Sequence, residues 1–269
     1  MTGSFESAVI ILAQGRQERL SHLTMPKCLL PVRGTPLLHR TVELVGDRAS
    51  CYVIASTEVV VGPRCPRETL RQPGSCVLDG LAQTTHLWGT ERTIILLGDV
   101  FYSDDAMDRI FDDLGGLVFF GTKDLSRTHG EVFALSFSRT ASFAVIKALG
   151  EVLCRQEPQP DYQGGHLRNL LWQIQGSYQL GAYGKWTPDK RFYHVIDDHT
   201  TDFDTPEDLD KIPALEKRLR QTARQNKVVH KCPKCGSNRI LVMLLNDRES
   251  APAVCDVCGH KDKFCEFAK

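Results

Sequence analysis

From the N-terminus to about Ile212, apolar runs alternate with polar segments of helical spacing. Val9 to Ala13 is apolar without alternation, the pattern of a strand buried on both faces. Cys51 to Ser56, Thr93 to Leu97, Leu117 to Gly121 and Glu131 to Phe137 read as four further strands. Leu37, Leu38, Thr41, Val42 and Val45 recur at helical spacing, with Thr35 predicted as N-cap and Pro36 at the first helical position. Leu78, Leu81, Ala82, Thr85 and Leu87 predict a helix from Val77 to Trp88. Ser103 is predicted to cap a helix running to Leu114, with Asp104 and Asp105 placed favourably in its first turn. Residues 62–74, rich in Pro and Arg, predict an irregular loop. Strands separated by helices imply an α/β domain over residues 1–212, with a mostly parallel central sheet and helices on both faces. Ligands of such sheets sit beyond the carboxyl ends of the strands.

Two strand ends carry candidate chemistry at that rim. The first strand breaks at Gly15 into a polar loop with Arg16, Arg19 and Lys27. Glycine lets a backbone approach closely, and the cations neutralise charge, so this loop suits phosphates. The third strand ends at Gly98 and Asp99, and a carboxylate there can hold a magnesium ion that bridges phosphates. Farther on, Asp202 and Asp204 lie on an extended piece and face the same way. Thr205, Pro206 and Glu207 then read as a helix start, which accounts for those residues without chemistry.

Leu12, Ala13, Gly15, Arg19 and Leu20, followed by Pro26, Lys27, Leu29, Leu30, Pro31, Val32, Gly34, Pro36 and Leu37, resemble the signature of nucleotidyltransferases that couple a nucleoside triphosphate to a sugar phosphate or similar acceptor. Gln14 departs from the usual second Ala, and Gln17 from the second Gly. With Gly98-Asp99 and Asp204 in the matching order, the resemblance covers about the first 215 residues. It implies attack of an acceptor phosphate oxygen on the α-phosphorus, with pyrophosphate leaving. Arg19 and Lys27 would be catalytic and hold the triphosphate. Leu12, Ala13, Gln14, Gly15, Arg16 and Asp99 would complete nucleotide binding, and Asp99 and Asp204 would hold Mg2+. The acceptor would lie against residues 121–200. There Glu131, Lys185 and the glycine turns at Gly130, Gly164-Gly165-His166 and Gly181–Gly184 are weak candidates, each equally explained by plain turn chemistry. His194, Asp197, Asp198 and His199 read as solvated loop residues before a second metal site.

The C-terminal part changes character. Leu209, Ile212, Leu215, Leu219 and Ala223 extend a helix whose other face is basic, with Lys211, Lys217, Arg218, Arg220, Arg224 and Lys227. Residues 213–229 are expected to link the first domain to residues 230–269. There Cys232 and Cys235 and, after 19 intervening residues, Cys255 and Cys258 have the spacing of a zinc ribbon with four thiolate ligands. A segment of about 40 residues cannot bury enough surface to fold alone, so Zn2+ would supply folding free energy. Cys28, Cys51, Cys65, Cys76 and Cys154 have no such spacing and read as buried or incidental thiols.

Lysine plus arginine equal aspartate plus glutamate at 33 each, so no global charge draws the chain to nucleic acid or membrane. With paired Cys-x-x-Cys units, no apolar run of membrane-spanning length and no secretory pattern, a reducing, cytoplasmic setting is expected. Three functions stay open. One is an active nucleotidyltransferase. Another is a lapsed relative, which Gln17 favours, binding nucleic acid or protein through the ribbon and basic helix. The last is a glycosyltransferase of related fold using Asp202-Phe203-Asp204.

Overall fold

The computed structural model describes residues 7–14, 25–55, 67–68, 76–89, 91–123, 131–155, 166–177, 188–203, 206–225, 234, 240–242, 252–255 and 261–263. The strands are β1 (Ser7–Ala13), β2 (Pro31–Val32), β3 (Thr35–Pro36), β4 (Ser50–Ala55), β5 (Arg67–Glu68), β6 (Arg92–Leu97), β7 (Val100–Phe101), β8 (Leu117–Gly121), β9 (Val132–Ser138), β10 (Tyr193–Val195) and β11 (Thr201–Asp202). The helices of the same unit are α1 (Leu37–Val45), α2 (Val77–Ala82), α3 (Asp104–Asp112), α4 (Ser142–Cys154), α5 (Leu167–Ile174) and α6 (Pro206–Leu209).

The main sheet has the order β10-β8-β9-β6-β1-β4-β5. β1 pairs in parallel with β4 and β6, and β4 with β5. The residues of β1 from Ala8 to Ala13 are all buried, as are Thr93 to Leu97 of β6, so both sheet faces are covered. α2, α4 and α5 pack on one another, as do α1 and α3, which supplies two layers for those faces.

The sheet is mostly parallel, as expected, and one strand runs against the rest. β9 runs antiparallel between β6 and β8. The connection from Gly121 to Val132 is too short for the dozen or more residues and helix of a parallel crossover. The reversal matters, because it puts the start of β9, with Glu131, at the same rim as the carboxyl ends of β6 and β8.

Three helix boundaries also differ from the sequence reading. Thr35 does not cap α1; it pairs with Val32 in the short β2–β3 hairpin, and Pro36 precedes the helix. Arg33 and Gly34 both take positive φ there, at 54° and 79°, as a tight two-residue hairpin turn requires. The stretch from Val77 to Trp88 divides into α2 and a 3-10 turn over Thr85–Leu87. The helix begun by Ser103 ends at Asp112, and Leu114 is 88% exposed beyond it. The cap itself is as expected: the Ser103 hydroxyl accepts a hydrogen bond from the Ala106 amide at 2.9 Å.

The sheet's central strand end is pinned by Tyr102. Its hydroxyl is wholly buried, accepts from the Leu97 amide (3.0 Å) and donates to the Phe133 carbonyl (2.7 Å). Burial drives the phenol well above its ordinary pKa, so it stays a donor. Arg92, at the other end of β6, donates to the Ile110 and Phe111 carbonyls at 2.8 and 2.7 Å and so closes the C-terminus of α3.

The chain divides into two compact units, residues 1–212 and 213–269. The second contains most of α7 (Ile212–Gln225) and a three-stranded antiparallel sheet of β12 (Ile240–Val242), β13 (Pro252–Cys255) and β14 (Lys261–Lys263). The single helix expected from residue 205 onward is broken between α6 and α7. Pro213 lacks an N–H and its ring clashes with the carbonyl four residues back, so α6 cannot run on through it. Among the described residues, no helix is long and apolar enough to cross a membrane.

Tyr102→Phe leaves the Leu97 amide and the Phe133 carbonyl buried without their partner. We expect a loss of about 1–3 kcal/mol in urea unfolding, the cost of one unmade buried hydrogen-bond set. An unchanged midpoint would show that the pin does not hold the strand end.

Candidate active site at the carboxyl rim of the sheet

β1 stands where the chain's parallel connections diverge, with β4 on one side and β6 on the other. This is the switch point at which open α/β sheets form their ligand crevice. Two loops meet there. The Gly98 amide donates to the Leu12 carbonyl at 2.8 Å, which laces the end of β6 to the end of β1. A Cβ at Gly98 would lie 2.7 Å from that of Ala13, so only glycine allows this approach. Asp99 therefore follows directly on a residue pressed against Leu12 and Ala13.

Lys27 reaches the same point from a rigid base. Pro26 opens a 3-10 turn over Lys27–Leu29, in which the Leu29 amide donates to the Pro26 carbonyl (2.8 Å) and the Leu30 amide to the Lys27 carbonyl (3.0 Å). Cys28, Leu30 and Val32 are buried and hold the segment to the core. The Lys27 ammonium then lies 3.0 Å from Asp99 Oδ2, with the lysine side chain 11% exposed and the aspartate 33%. A charge as enclosed as Lys27 needs a counter-charge, and Asp99 supplies it. Burial, with the nearby Asp99 carboxylate adding to it, raises the Cys28 thiol to about 12, so this cysteine is inert packing.

The acidic segment ahead of Asp204 comes to the same place. β11 pairs antiparallel with β7, setting Asp202 opposite Val100 and Thr201 opposite Phe101. Phe203 is wholly buried behind it. The approach is locked at the cap of α3: Ser103 Oγ donates to Asp198 at 2.7 Å, the Thr200 amide donates to Asp198 at 2.6 Å, and the Ser103 amide donates to Thr200 Oγ1 at 3.1 Å. His194 lies 2.5 Å from Asp113. Asp198 and His194 are thus engaged in holding loops, and among the described residues no three His, Cys, Asp or Glu side chains converge as a metal cluster.

Gln14, one of the two residues that depart from the signature, is enclosed: it is 8% exposed, and among the described residues neither its amide oxygen nor its amide nitrogen has a hydrogen-bond partner. Its side chain lies against Gly80 inside α2, where an added Cβ would fall 2.8 Å from the Gln14 Cδ. Glycine within a helix costs up to about 1 kcal/mol relative to alanine, and an unsatisfied buried amide about 1–3 kcal/mol. Both are tolerated here at one point of contact.

Across β6 from β1, a small cleft is lined by Val77, Leu97, Glu131, Val132, His166 and Arg168, among others. Glu131 was a weak sequence candidate, and His166 lay in a flagged turn. Arg168 was missed; its guanidinium sits 5.3 Å from the Trp172 ring. Its signal in the sequence is only a charge among Leu167, Leu170 and Leu171, all buried on α5.

Of the sequence-derived site residues, Leu12, Ala13, Gln14, Lys27 and Asp99 come together. Gly15, Arg16, Arg19, Asp204, Cys232, Cys235 and Cys258 lie outside the described residues, as do Gln17, Lys185 and the turn at 181–184. Cys255 ends β13. Arg224 belongs to α7, and Lys227 lies beyond the described part of it.

No protein-family model and no curated protein matches the sequence. The fold, in contrast, is that of nucleotidyltransferases. Inositol-1-phosphate CTP transferase of T. maritima matches with a TM-score of 0.51 at 13% identity, over 82% of this chain and 98% of that one. CTP:phosphocholine cytidylyltransferase of Streptococcus pneumoniae matches with 0.52 at 13% identity, over 80% and 99%. A Bacillus anthracis protein assigned as a glucose-1-phosphate thymidylyltransferase, solved with sucrose, matches with 0.51 at 16% identity, over 78% and 95%. These neighbours are transferases acting with nucleotides on sugar phosphates or similar acceptors.

Asp99→Ala removes the carboxylate that lies 3.0 Å from the Lys27 ammonium. The loss should fall between the ~1 kcal/mol of an exposed pair and the ~3–5 kcal/mol of a buried one, because Asp99 is part-exposed. Lys27→Met together with Asp99→Ala should recover part of it in thermal unfolding. Additive losses would show that the two side chains do not depend on each other.

Proposed function

We propose that this chain is a nucleotidyltransferase that joins a nucleoside triphosphate to a phosphorylated small-molecule acceptor and releases pyrophosphate. The observation that carries this is the Lys27–Asp99 pair, laced to the end of β1 at the sheet's switch point. Nucleotidyl transfer needs positioning and charge neutralisation more than a covalent nucleophile. An enclosed ammonium beside a rim carboxylate offers both kinds of charge at one spot.

The acceptor's phosphate oxygen attacks the α-phosphorus, the bond to the β-phosphate bridging oxygen breaks, and pyrophosphate leaves. Lys27 holds phosphate oxygens and stabilises the charge that develops on them. Arg19 is assigned to the leaving pyrophosphate, and Arg16 and the Gly15 backbone to the nucleotide, on their order in the sequence. The residues fit magnesium: Asp99 is a hard oxygen donor, part-exposed, and the carboxylate of Asp204, two residues beyond Asp202 in the sequence, is proposed as the second donor. Asp99 and Asp204 would hold magnesium, which would supply charge neutralisation for the phosphates. The cleft with Glu131, His166 and Arg168 offers both charge types to the acceptor.

The second unit is proposed to bind one Zn2+ through Cys232, Cys235, Cys255 and Cys258. Its three-stranded antiparallel sheet suits a ribbon, and the spacing of the cysteines supports the ligand set. One zinc per chain is expected in the purified protein, with Cys232→Ser removing it and opening residues 230–269 to protease. A zinc-free chain with an equally protected tail would contradict this.

Each of the four nucleoside triphosphates with magnesium, added to the full chain, tests the transferase reading. At least one should raise the melting temperature, and Lys27→Ala should lower pyrophosphate release at least about 100-fold. Stabilisation without pyrophosphate release over a broad acceptor screen would favour the lapsed relative. No stabilisation by any triphosphate would contradict the proposal.

A further inference from the structure

We infer that the side chain of Gln14 reads the base of the nucleotide, an inference that rests on the transferase reading above. Gln14 is more than nine-tenths buried, and among the described residues its amide has neither donor nor acceptor satisfied. Buried polar groups are ordinarily paired, so an orphaned amide at a ligand rim points to a partner that arrives with the ligand. It stands one residue beyond the end of β1, next to Ala13, against which Gly98 is pressed. The phosphate-directed groups Lys27 and Asp99 meet at that same turn.

The surroundings are shaped for this side chain. Gly80 lies inside α2, where alanine is the better helix former, and any Cβ there would run into the Gln14 amide. A merely filling residue at position 14 would not require the facing helix to give up its Cβ. The space at Gly80 takes the Gln14 amide, and base reading requires this long, unbranched side chain to turn about its own bonds.

A primary amide presents one acceptor and two donor hydrogens on a flat group. That matches the edge of a nucleobase, which carries adjacent donors and acceptors, and glutamine pairs with bases in this bidentate way. Phosphates are acceptors only and are served by the cations. The uncharged amide is therefore suited to the base. Substitution by glutamate would leave two acceptors and no donor, and only guanine offers two adjacent donors on one edge, N1–H and the exocyclic N2 amine.

Dissociation constants of the four nucleoside triphosphates and of inorganic tripolyphosphate, each with magnesium, measured on the full chain and on Gln14→Met and Gln14→Glu, test the assignment. Methionine keeps length and flexibility and removes the amide. The wild type is expected to prefer one triphosphate at least about tenfold. Gln14→Met should bring the four within about threefold of one another and leave tripolyphosphate affinity unchanged. Gln14→Glu should move the ranking toward GTP. An unchanged ranking in Gln14→Met, or equal binding of all four by the wild type, overturns the role of Gln14 and leaves the transferase reading standing. Failure of the wild type to bind tripolyphosphate or any nucleotide overturns both.

Discussion

The contact on which the rest of this structure depends is the one between Lys27 and Asp99. An ammonium that is nine-tenths enclosed cannot be left without a counter-charge, and Asp99 is the carboxylate placed to meet it. Everything around the pair serves to place its two members. Pro26 and the 3-10 turn hold Lys27, with Cys28 and Leu30 packed into the core beneath. Gly98 carries Asp99 against the end of β1 at a distance no other residue allows. Tyr102 fixes the end of β6 to β9 just behind.

This arrangement also explains why the acidic segment near residue 202 matters. β7 is only two residues long, yet its pairing with β11 brings a distant part of the chain next to Asp99. The Ser103–Asp198–Thr200 network makes that pairing rigid. The cap of α3 and the position of the rim acids are thus one construction. A helix cap that satisfies an orphan amide also sets the geometry of the candidate site.

Much of the fold was legible because buried parallel strands carry an unmistakable apolar run, as Val9 to Ala13 and Thr93 to Leu97 do. The reversal of β9 was not read, although the short link after Gly121 contained the reason. Thr35 was misread because a Thr-Pro pair suits a helix start and a hairpin arm alike, and the positive φ at Arg33 and Gly34 decided for the hairpin. Helix α4 left little trace: Phe143 and Ile146 are exposed, so apolar residues surround it and blur the period. At the site, residue types and order gave Lys27 and Asp99 individually, but their direct pairing is a product of tertiary packing. Gln14 stood out only as a departure from a signature. Its orphaned amide and its fit against Gly80 belong to the folded chain.

If Lys27 and a metal ion share Asp99, then metal and triphosphate must bind cooperatively. The lysine holds the carboxylate until phosphate oxygens draw it away, and linkage makes the effect reciprocal. The decisive measurement is the affinity of the full chain for Mn2+ at this site with and without a non-hydrolysable triphosphate, corrected for metal bound by the nucleotide alone. The account predicts at least about tenfold tighter metal binding with triphosphate, and loss of that coupling in Asp99→Asn. Equal metal affinity in both conditions, or coupling that survives Asp99→Asn, would contradict it.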